Sequence, residues 1–414
     1  MPARPGYGAV WPGKVDILWS MLSFSWLAWI GLARLAGLPF EWQEAVPGLP
    51  EEPGIGVVPQ ILYPLVLVCG LLILLLGWWS RRQYVALPEL PGLAQPTAED
   101  HAVIIPARDE AAGIAAAVRS FPDSLVCVID DDSADRTVEL AAAAGAHVLE
   151  AAALTPGWTG KNNACWTGAQ STQSKWILFA DGDTRSDPRL IHSLLEYARA
   201  NSLQAVSVLP RPVDGALLAR LLVSCASGLY FAGLNGMRIN TAQSRQSLQN
   251  DQCLLFLRSG YDFIGGHRRV CGSLSADLAF GGLLHMHRLN CRTVRGETLA
   301  SARRPDSLAG VWSGLQRFGC RFLAVAPAVR MRLVLACFLQ AAWLPLVLVL
   351  LYGRHFLSAA LFYAVVALAW VPWYGATPLV LLAPPAVYVV LLGATLGLVR
   401  HFFGLSIGWK GRRV

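Results

Sequence analysis

Two stretches decide the fold of this chain. Leu125-Val126-Cys127-Val128-Ile129 runs into Asp130-Asp131-Asp132, and Trp176-Ile177-Leu178-Phe179-Ala180 runs into Asp181-Gly182-Asp183. Each apolar run lacks polar alternation, which is the pattern of a strand covered on both faces in a parallel sheet. Each stops at carboxylates. Ligands of open α/β sheets bind outside the carboxyl ends of the strands, so both acidic clusters are expected to empty into one cleft. Two carboxylates one residue apart suit a hard divalent cation, Mg2+ or Mn2+, which keeps several waters and takes its remaining ligands from substrate phosphates. The chemistry implied is the handling of a nucleoside diphosphate.

Outward from these runs the same unit repeats. His101-Ala102-Val103-Ile104-Ile105-Pro106 reads as a first strand ended by proline, and residues 110–118 are alanine-rich and helical in composition. Asp135 can cap a helix over 136–144 closed at Gly145, since a carboxylate accepts from the free amides of the first turn and glycine tolerates the left-handed exit. Residues 161–174 predict another helix, and Asp187-Pro188 supplies a cap and a proline at the first position of a helix over 189–200. Residues 205–209 predict a strand and 216–234 a helix against the membrane or the domain. Repeated β-α units imply a Rossmann-like α/β domain with a mostly parallel sheet, expected over residues 101–325.

The 414 residues are 54% hydrophobic with a formal charge of +7, too apolar for an ordinary soluble protein and too mixed for a pure membrane bundle. Residues 15–36 and 56–79 are each long enough to cross a hydrocarbon core, which takes about 20 apolar residues, so residues 1–80 are expected to form an N-terminal membrane anchor. The acidic link Glu41 to Glu52 between them and Arg81-Arg82 after them place the region beyond residue 80 inside by the positive-inside rule. A Pro/Leu linker is expected over 81–100. Residues 326–414 form a C-terminal membrane region whose plain count is three crossings; the basic tail Trp409-Lys410-Gly411-Arg412-Arg413 is expected inside, so one segment should be interfacial or re-entrant. This describes a multi-pass protein of the cell (inner) membrane with a cytoplasmic catalytic domain. Much of the positive charge flanks apolar segments (Arg81, Arg82, Arg330, Arg332, Arg400), as expected beside anionic lipid, so no nucleic-acid partner is expected. Nine cysteines without a C-x-x-C pair suggest neither zinc nor a disulfide framework.

Three motifs in order resemble the family 2 inverting glycosyltransferases of the GT-A fold. Val103-Ile104-Ile105-Pro106-Ala107-Arg108-Asp109-Glu110 resembles the opening strand and loop, Val128-Ile129-Asp130-Asp131-Asp132-Ser133-Ala134-Asp135-Arg136-Thr137 the second motif, and Asp181-Gly182-Asp183 the metal-binding D-x-D. The resemblance implies a GT-A catalytic domain with N- and C-terminal transmembrane helices. It implies that Pro106, Asp109 and Asp131 line the donor nucleotide, where a carboxylate gives charge-assisted selectivity. Asp183 would be the direct metal ligand, with Asp181 beside metal and donor. Gly157-Trp158-Thr159-Gly160-Lys161 is similar to a segment of members that glycosylate lipids, and sets Lys161 at a helix N-terminus, favourable for phosphate. Structural uses compete with each role: turn capping for the aspartates, a solvated turn for Asp-Gly-Asp, a surface position for Lys161.

The family places its catalytic base after a Gly-Gly-His segment. Here Gly265-Gly266-His267 is followed by Leu274-Ser275-Ala276-Asp277, which makes Asp277 the expected base, able also to cap the next helix; Ala276 stands where the family usually has glutamate. Gln316-Arg317-Phe318-Gly319-Cys320-Arg321-Phe322 lacks the spacing and tryptophan of the Q-x-x-R-W signature of processive members, so one sugar per acceptor is expected; Arg317 and Arg321 read as membrane-flank charge slightly ahead of contacts to pyrophosphate or lipid headgroups. His285 and His287 are two apart on an expected helix and do not share a face. The expected partners are a nucleotide sugar, by resemblance a UDP-sugar, and a membrane lipid or terpenoid acceptor, with a likeness to enzymes of hopanoid or carotenoid glycosylation. Two alternatives stand beside this reading: a polyprenyl-phosphate sugar transferase, and a catalytically silent nucleotide-sugar-binding membrane partner.

Overall fold

The computed structural model describes residues 58–92, 99–213, 215–241, 248–305, 307–405, 408–409 and 412–413. The expected crossing at 15–36 and the acidic link after it lie outside the described residues. Among the described residues, ten strands build the α/β region: β1 (His101–Ala107), β2 (Leu125–Asp130), β3 (His147–Glu150), β4 (Trp176–Ala180), β5 (Thr184–Ser186), β6 (Ala205–Leu209), β7 (Arg211–Val213), β8 (Cys253–Leu257), β9 (Cys291–Arg295) and β10 (Ala300–Arg303). Seven form one sheet in the order β3-β2-β1-β4-β8-β6-β9, and β5-β10-β7 form a second, smaller one. The large sheet is parallel except at β8, which runs antiparallel to both β4 and β6. It is thus a mostly parallel, GT-A-like α/β sheet.

The two apolar runs became β2 and β4, and their side chains divide between two cores. Val126, Val128, Leu178 and Ala180 pack with the helix Arg189–Ala200 on one face, while Cys127, Ile129, Ile177 and Phe179 pack with the helix Gly160–Gln170 on the other. Burial on both faces explains why neither run alternates. The strand order reverses between β1 and β4, the switch point at which an open sheet leaves a crevice. Ala107 of β1 pairs with Asp130 of β2 there. Because β8 is antiparallel, its first residue Cys253 pairs with Ala180, so the turn preceding β8 reaches the edge where β4 ends.

Asp135 accepts from the Thr137 and Ala111 amides at 2.9 and 3.0 Å, and Asp187 from the Arg189 amide at 2.9 Å, which are the expected caps. The expected linker is tied to the sheet: Leu87 and Leu90 are buried, the Leu90 amide donates to the Arg295 carbonyl of β9, and the Arg295 amide donates to the Pro88 carbonyl.

Among the described residues three helical stretches are long and apolar enough to cross a membrane: Gln60–Val85, Pro327–Tyr352 and Pro378–Phe402. The middle of the expected C-terminal block, Phe356–Leu368, is a helix of only 13 residues, about 20 Å at 1.5 Å per residue and short of the ~30 Å core. The chain divides into two compact units, Met1–Leu75 with Phe338–Ala369, and Leu76–Cys337 with Trp370–Val414. In the first, Tyr63 and His355 share a 3.0 Å hydrogen bond and Trp343 meets Tyr363 edge-on. In the second, the helix Leu308–Ala324 lies against the helix Ala383–Phe402 almost backbone to backbone. A Cβ added at Gly319 would come within 2.0 Å of the Ala394 carbonyl oxygen, and one at Gly397 within 2.0 Å of the Gln316 carbonyl oxygen. This pairing fixes the helix that carries Arg317 and Arg321.

Candidate active site

The loops after β1 and β2 hold one another through carboxylates. Asp109, at φ +50°, accepts from the Ala134 amide at 2.8 Å, while its own amide donates to Ser133 Oγ at 3.1 Å. Aspartate is among the residues that tolerate this left-handed backbone, because its side chain can bond locally. Arg108 donates to the Asp131 carbonyl oxygen and lies 3.6 Å from Asp132 Oδ2. The Asp131 amide donates to the Ala107 carbonyl at 2.8 Å and its side chain is buried. Pro106 sits one residue before this junction, opposite Ile129. Pro106, Asp109 and Asp131 therefore meet at the ends of β1 and β2.

A second cluster forms where β4 ends. Lys161, in the first turn of the helix Gly160–Gln170, sets Nζ 2.7 Å from Asp181 Oδ1 and 2.7 Å from Asp251 Oδ2. Thr159 caps that helix by accepting from the Asn162 amide, and the Asn162 Nδ2 group donates to the carbonyls of Val270, Cys271 and Ser273. The glycine-flexed loop is thus stitched to the segment leading to Asp277. Burial works against the Lys161 charge, yet Asp181 and Asp251 hold its proton affinity above that of an ordinary lysine. Burial raises Asp181, with Lys161 opposing and Asp251 and Asp183 adding to it. For Asp251 burial is outweighed by Lys161, Arg321 and Arg317, so its carboxyl falls below the ordinary range.

The Gly-Gly-His segment is explained by Tyr261. Gly266 adopts φ +53°, and a Cβ there would lie 2.5 Å from the Tyr261 ring. The Tyr261 oxygen accepts from the His267 amide at 3.0 Å and lies 2.9 Å from His267 Nδ1. Burial, together with Lys161, pushes His267 down to about 3, so the ring is neutral. It packs edge-on against Phe179 and Phe280, with centroids 4.6 and 4.8 Å away. Beyond it Asp277 begins the helix Ala276–Met286, fully buried, with Oδ1 accepting from the Leu278 amide at 2.9 Å and Oδ2 held 2.6 Å from the Arg321 guanidinium. Burial raises Asp277 to about 6 even with Arg321 opposing. The membrane-flank reading of Arg321 is corrected here: its charge is spent on Asp277.

Whether this edge fits a divalent cation can be judged from its donors. Asp181 already carries a cation, the Lys161 ammonium, and Asp183 lies two residues on, its carbonyl accepting from the Arg303 amide at 3.2 Å. Among the described residues no three histidine, cysteine or acidic side chains gather as a closed metal site. Two oxygen donors and no cage suit a cation that completes its shell with water and phosphate, so the residues fit Mg2+ or Mn2+ carried with a diphosphate.

Residues 102–261 match the model of the family described as Glycosyl transferase family 2. These residues are a family 2 glycosyltransferase domain. A curated relative, the 4,4'-diaponeurosporenoate glycosyltransferase of Staphylococcus haemolyticus, is 26% identical over 220 residues, covering 50% of this chain and 57% of its own. The chain thus spans little more than half the length of that relative. Among solved structures, a mannosyltransferase from Pyrobaculum calidifontis in complex with GDP-Man and Mn2+ is similar with a TM-score of 0.46 and 14% identity, over 83% of this chain and 99% of its own. Glucosyl-3-phosphoglycerate synthase from Mycobacterium tuberculosis, with Mn2+, UDP and glucosyl-3-phosphoglycerate, is similar with a TM-score of 0.38 and 20% identity, over 57% and 87%.

Within the family 2 domain, sequence reading missed Asp251. It stands two residues before the apolar run Cys253–Leu257, the reverse of the order that exposed the other two clusters, where the carboxylates follow the run. Asn162 and the partner of Asp277 were missed as well, and for neither is there a local pattern.

Proposed function

We propose that this chain is a membrane-bound inverting glycosyltransferase, moving a single sugar from a nucleotide donor, by preference a UDP-sugar, to a hydroxyl on a membrane lipid or terpenoid. The observation that carries the reading is Asp277: a fully buried carboxylate aligned by Arg321 at 2.6 Å, linked through the loop pinned by Asn162 to the edge that bears Asp181 and Asp183. An inverting transfer needs a base on the acceptor side. Asp277 takes the hydroxyl proton as the acceptor oxygen bonds to the anomeric carbon, and the bond from that carbon to the diphosphate breaks with its electron pair leaving on phosphate. A pKa of about 6 for Asp277 leaves the carboxylate ionised at neutral pH and more basic than a surface aspartate. Asp109 and Asp131 face the nucleotide. Asp183, with Asp181, would hold Mg2+ or Mn2+, which when bound would supply charge neutralisation for the departing diphosphate.

The acceptor class follows from placement and from the relative. Three helical stretches of spanning length flank the domain, so an apolar acceptor that partitions into the bilayer is searched for in a plane instead of a volume. The relative's name specifies a carotenoid-type acid, which supports a terpenoid or other lipid acceptor. The positive-inside rule puts the domain on the cytoplasmic side of the cell membrane.

One observation favours a second reading. Arg321 lies beside Asp277, and the buried Arg317 Nε finds no hydrogen-bond partner among the described residues, which together would suit an anionic acceptor such as a polyprenyl phosphate. Transfer of radiolabel from a panel of nucleotide sugars into solvent-extractable lipid, with Mn2+ or with EDTA, tests the proposal. Metal-dependent labelling of an alkali-stable neutral glycolipid is the expected result, and labelling confined to acid-labile lipid phosphate would favour the second reading.

A further inference from the structure

Lys161 does not lie free for a phosphate. Its ammonium has three protons, and carboxylates of Asp181 and Asp251 take two of them at 2.7 Å each. The helix N-terminus on which it sits carries positive partial charge that disfavours a cation, so the carboxylates hold it there. A cation bound to Asp181 would lie about 2.0–2.1 Å from its oxygen, inside the space that the ammonium commands. Occupancy of Asp181 Oδ1 by a metal and by Lys161 is therefore competitive.

Asp251 supplies the alternative partner. Its backbone is fixed on both sides: the Asn250 amide donates to Ser207 Oγ at 2.7 Å, and the Gln252 carbonyl accepts from the Asp181 amide at 3.1 Å. The two carboxylates thus keep their separation, while the lysine stem is flexible and its three donors rotate. Lys161 can release Asp181 and keep Asp251. We propose that Asp251 is a positioning residue that holds Lys161 ready to leave Asp181, and so sets the affinity of the Asp181 and Asp183 pair for a divalent cation. This rests on the reading of that pair as the metal holder, not on the identity of sugar or acceptor. Cys165, His267, Asp277, Arg317 and Arg321 also face this cluster, and the two arginines keep Asp251 ionised.

The test is a double-mutant cycle on Mn2+ affinity, read by electron paramagnetic resonance of the full-length chain in detergent with UDP present. The proteins are wild type, Asp251→Asn, Lys161→Met and the double variant. Asp251→Asn leaves Lys161 with Asp181 as its one carboxylate, so Mn2+ affinity should fall about tenfold more in the lysine background than in the methionine background, a coupling in the usual range for contacting charges. Lys161→Met alone should bind Mn2+ at least as tightly as wild type, and Asp251→Glu should restore most of the affinity lost in Asp251→Asn. Equal weakening by Asp251→Asn in both backgrounds would overturn the proposal, because Asp251 would then act through its own charge. Wild type that binds no Mn2+ even with UDP would instead remove the metal reading beneath it.

Discussion

The carboxylates at the ends of β1 and β2 and those of the Lys161 and Arg321 cluster differ in their main partners. Asp109 and Asp135 accept from backbone amides. Asp181, Asp251 and Asp277 are held by the side-chain cations Lys161 and Arg321. An amide is a fixed dipole, so a carboxylate bound to one serves shape: the first region is a preformed cradle. A side-chain cation can be traded for another partner. The second region is therefore where charge can move, as binding a diphosphate and taking a proton require.

If that contrast is right, removing charge from the second region should cost function most. Asp183→Ala is expected to lower transfer about a thousandfold, the several kcal/mol of transition-state charge stabilisation that a metal supplies, with residual activity no longer responding to Mn2+; labelled-lipid assays over a Mn2+ titration read this. Arg321→Gln comes next. Truncating one partner of a buried ion pair costs roughly 3–5 kcal/mol, and because 34% of the Arg321 side chain meets solvent, about 2–3 kcal/mol is expected, read as a lowered unfolding midpoint in detergent. With Arg321 no longer opposing protonation, Asp277 should also hold its proton to higher pH.

The pH dependence separates activity from stability. With Asp277 raised to about 6, transfer should fall as pH drops through that value, because the base becomes protonated. Stability should run the other way. A carboxyl whose folded pKa lies above its unfolded one binds protons more tightly when folded, so its contribution is complete at low pH and is lost as pH rises through about 6. Rate and unfolding profiles with opposite slopes are expected in wild type between about pH 4 and 7, and in Asp277→Asn the unfolding transition should shrink to the share of Asp181, which burial also raises to about 6. The smallest effect belongs to the cradle: Asp135→Ala removes a cap and should cost about 0.5–2 kcal/mol in unfolding, with the metal response of the remaining activity unchanged. A larger loss of metal response than of stability would break the comparison.

What was legible in the sequence divides along the same line. β2 and β4 declared themselves because burial on both faces removes alternation, and the carboxylates at their ends were visible as abrupt changes of polarity. Asp135, Gly145 and Asp187 were readable because caps act within a few residues of themselves. Asp251 was hidden by topology: repeated β-α units imply parallel neighbours, whereas β8 enters antiparallel and brings its leading turn to the edge where parallel strands end. Arg321 was misread for a related reason. An arginine near an apolar block looks like a membrane flank, and only the close approach at Gly319 and Gly397, a contact distant in sequence, turns that helix so that the guanidinium meets Asp277. Lys161 was found, but its two carboxylate partners come from the ends of different strands.

The central claim is that a buried carboxylate in the charged half of the site takes the acceptor's proton. It is tested most directly by single-turnover transfer to lipid by Asp277→Asn, with UDP binding measured on the same preparation. The expected result is UDP bound as by wild type and transfer slowed by about a hundredfold to ten-thousandfold, the contribution of a positioned general base. Transfer at the wild-type rate with UDP bound normally would contradict the claim, since an acceptor that needs no base, such as a phosphate, would then be the substrate.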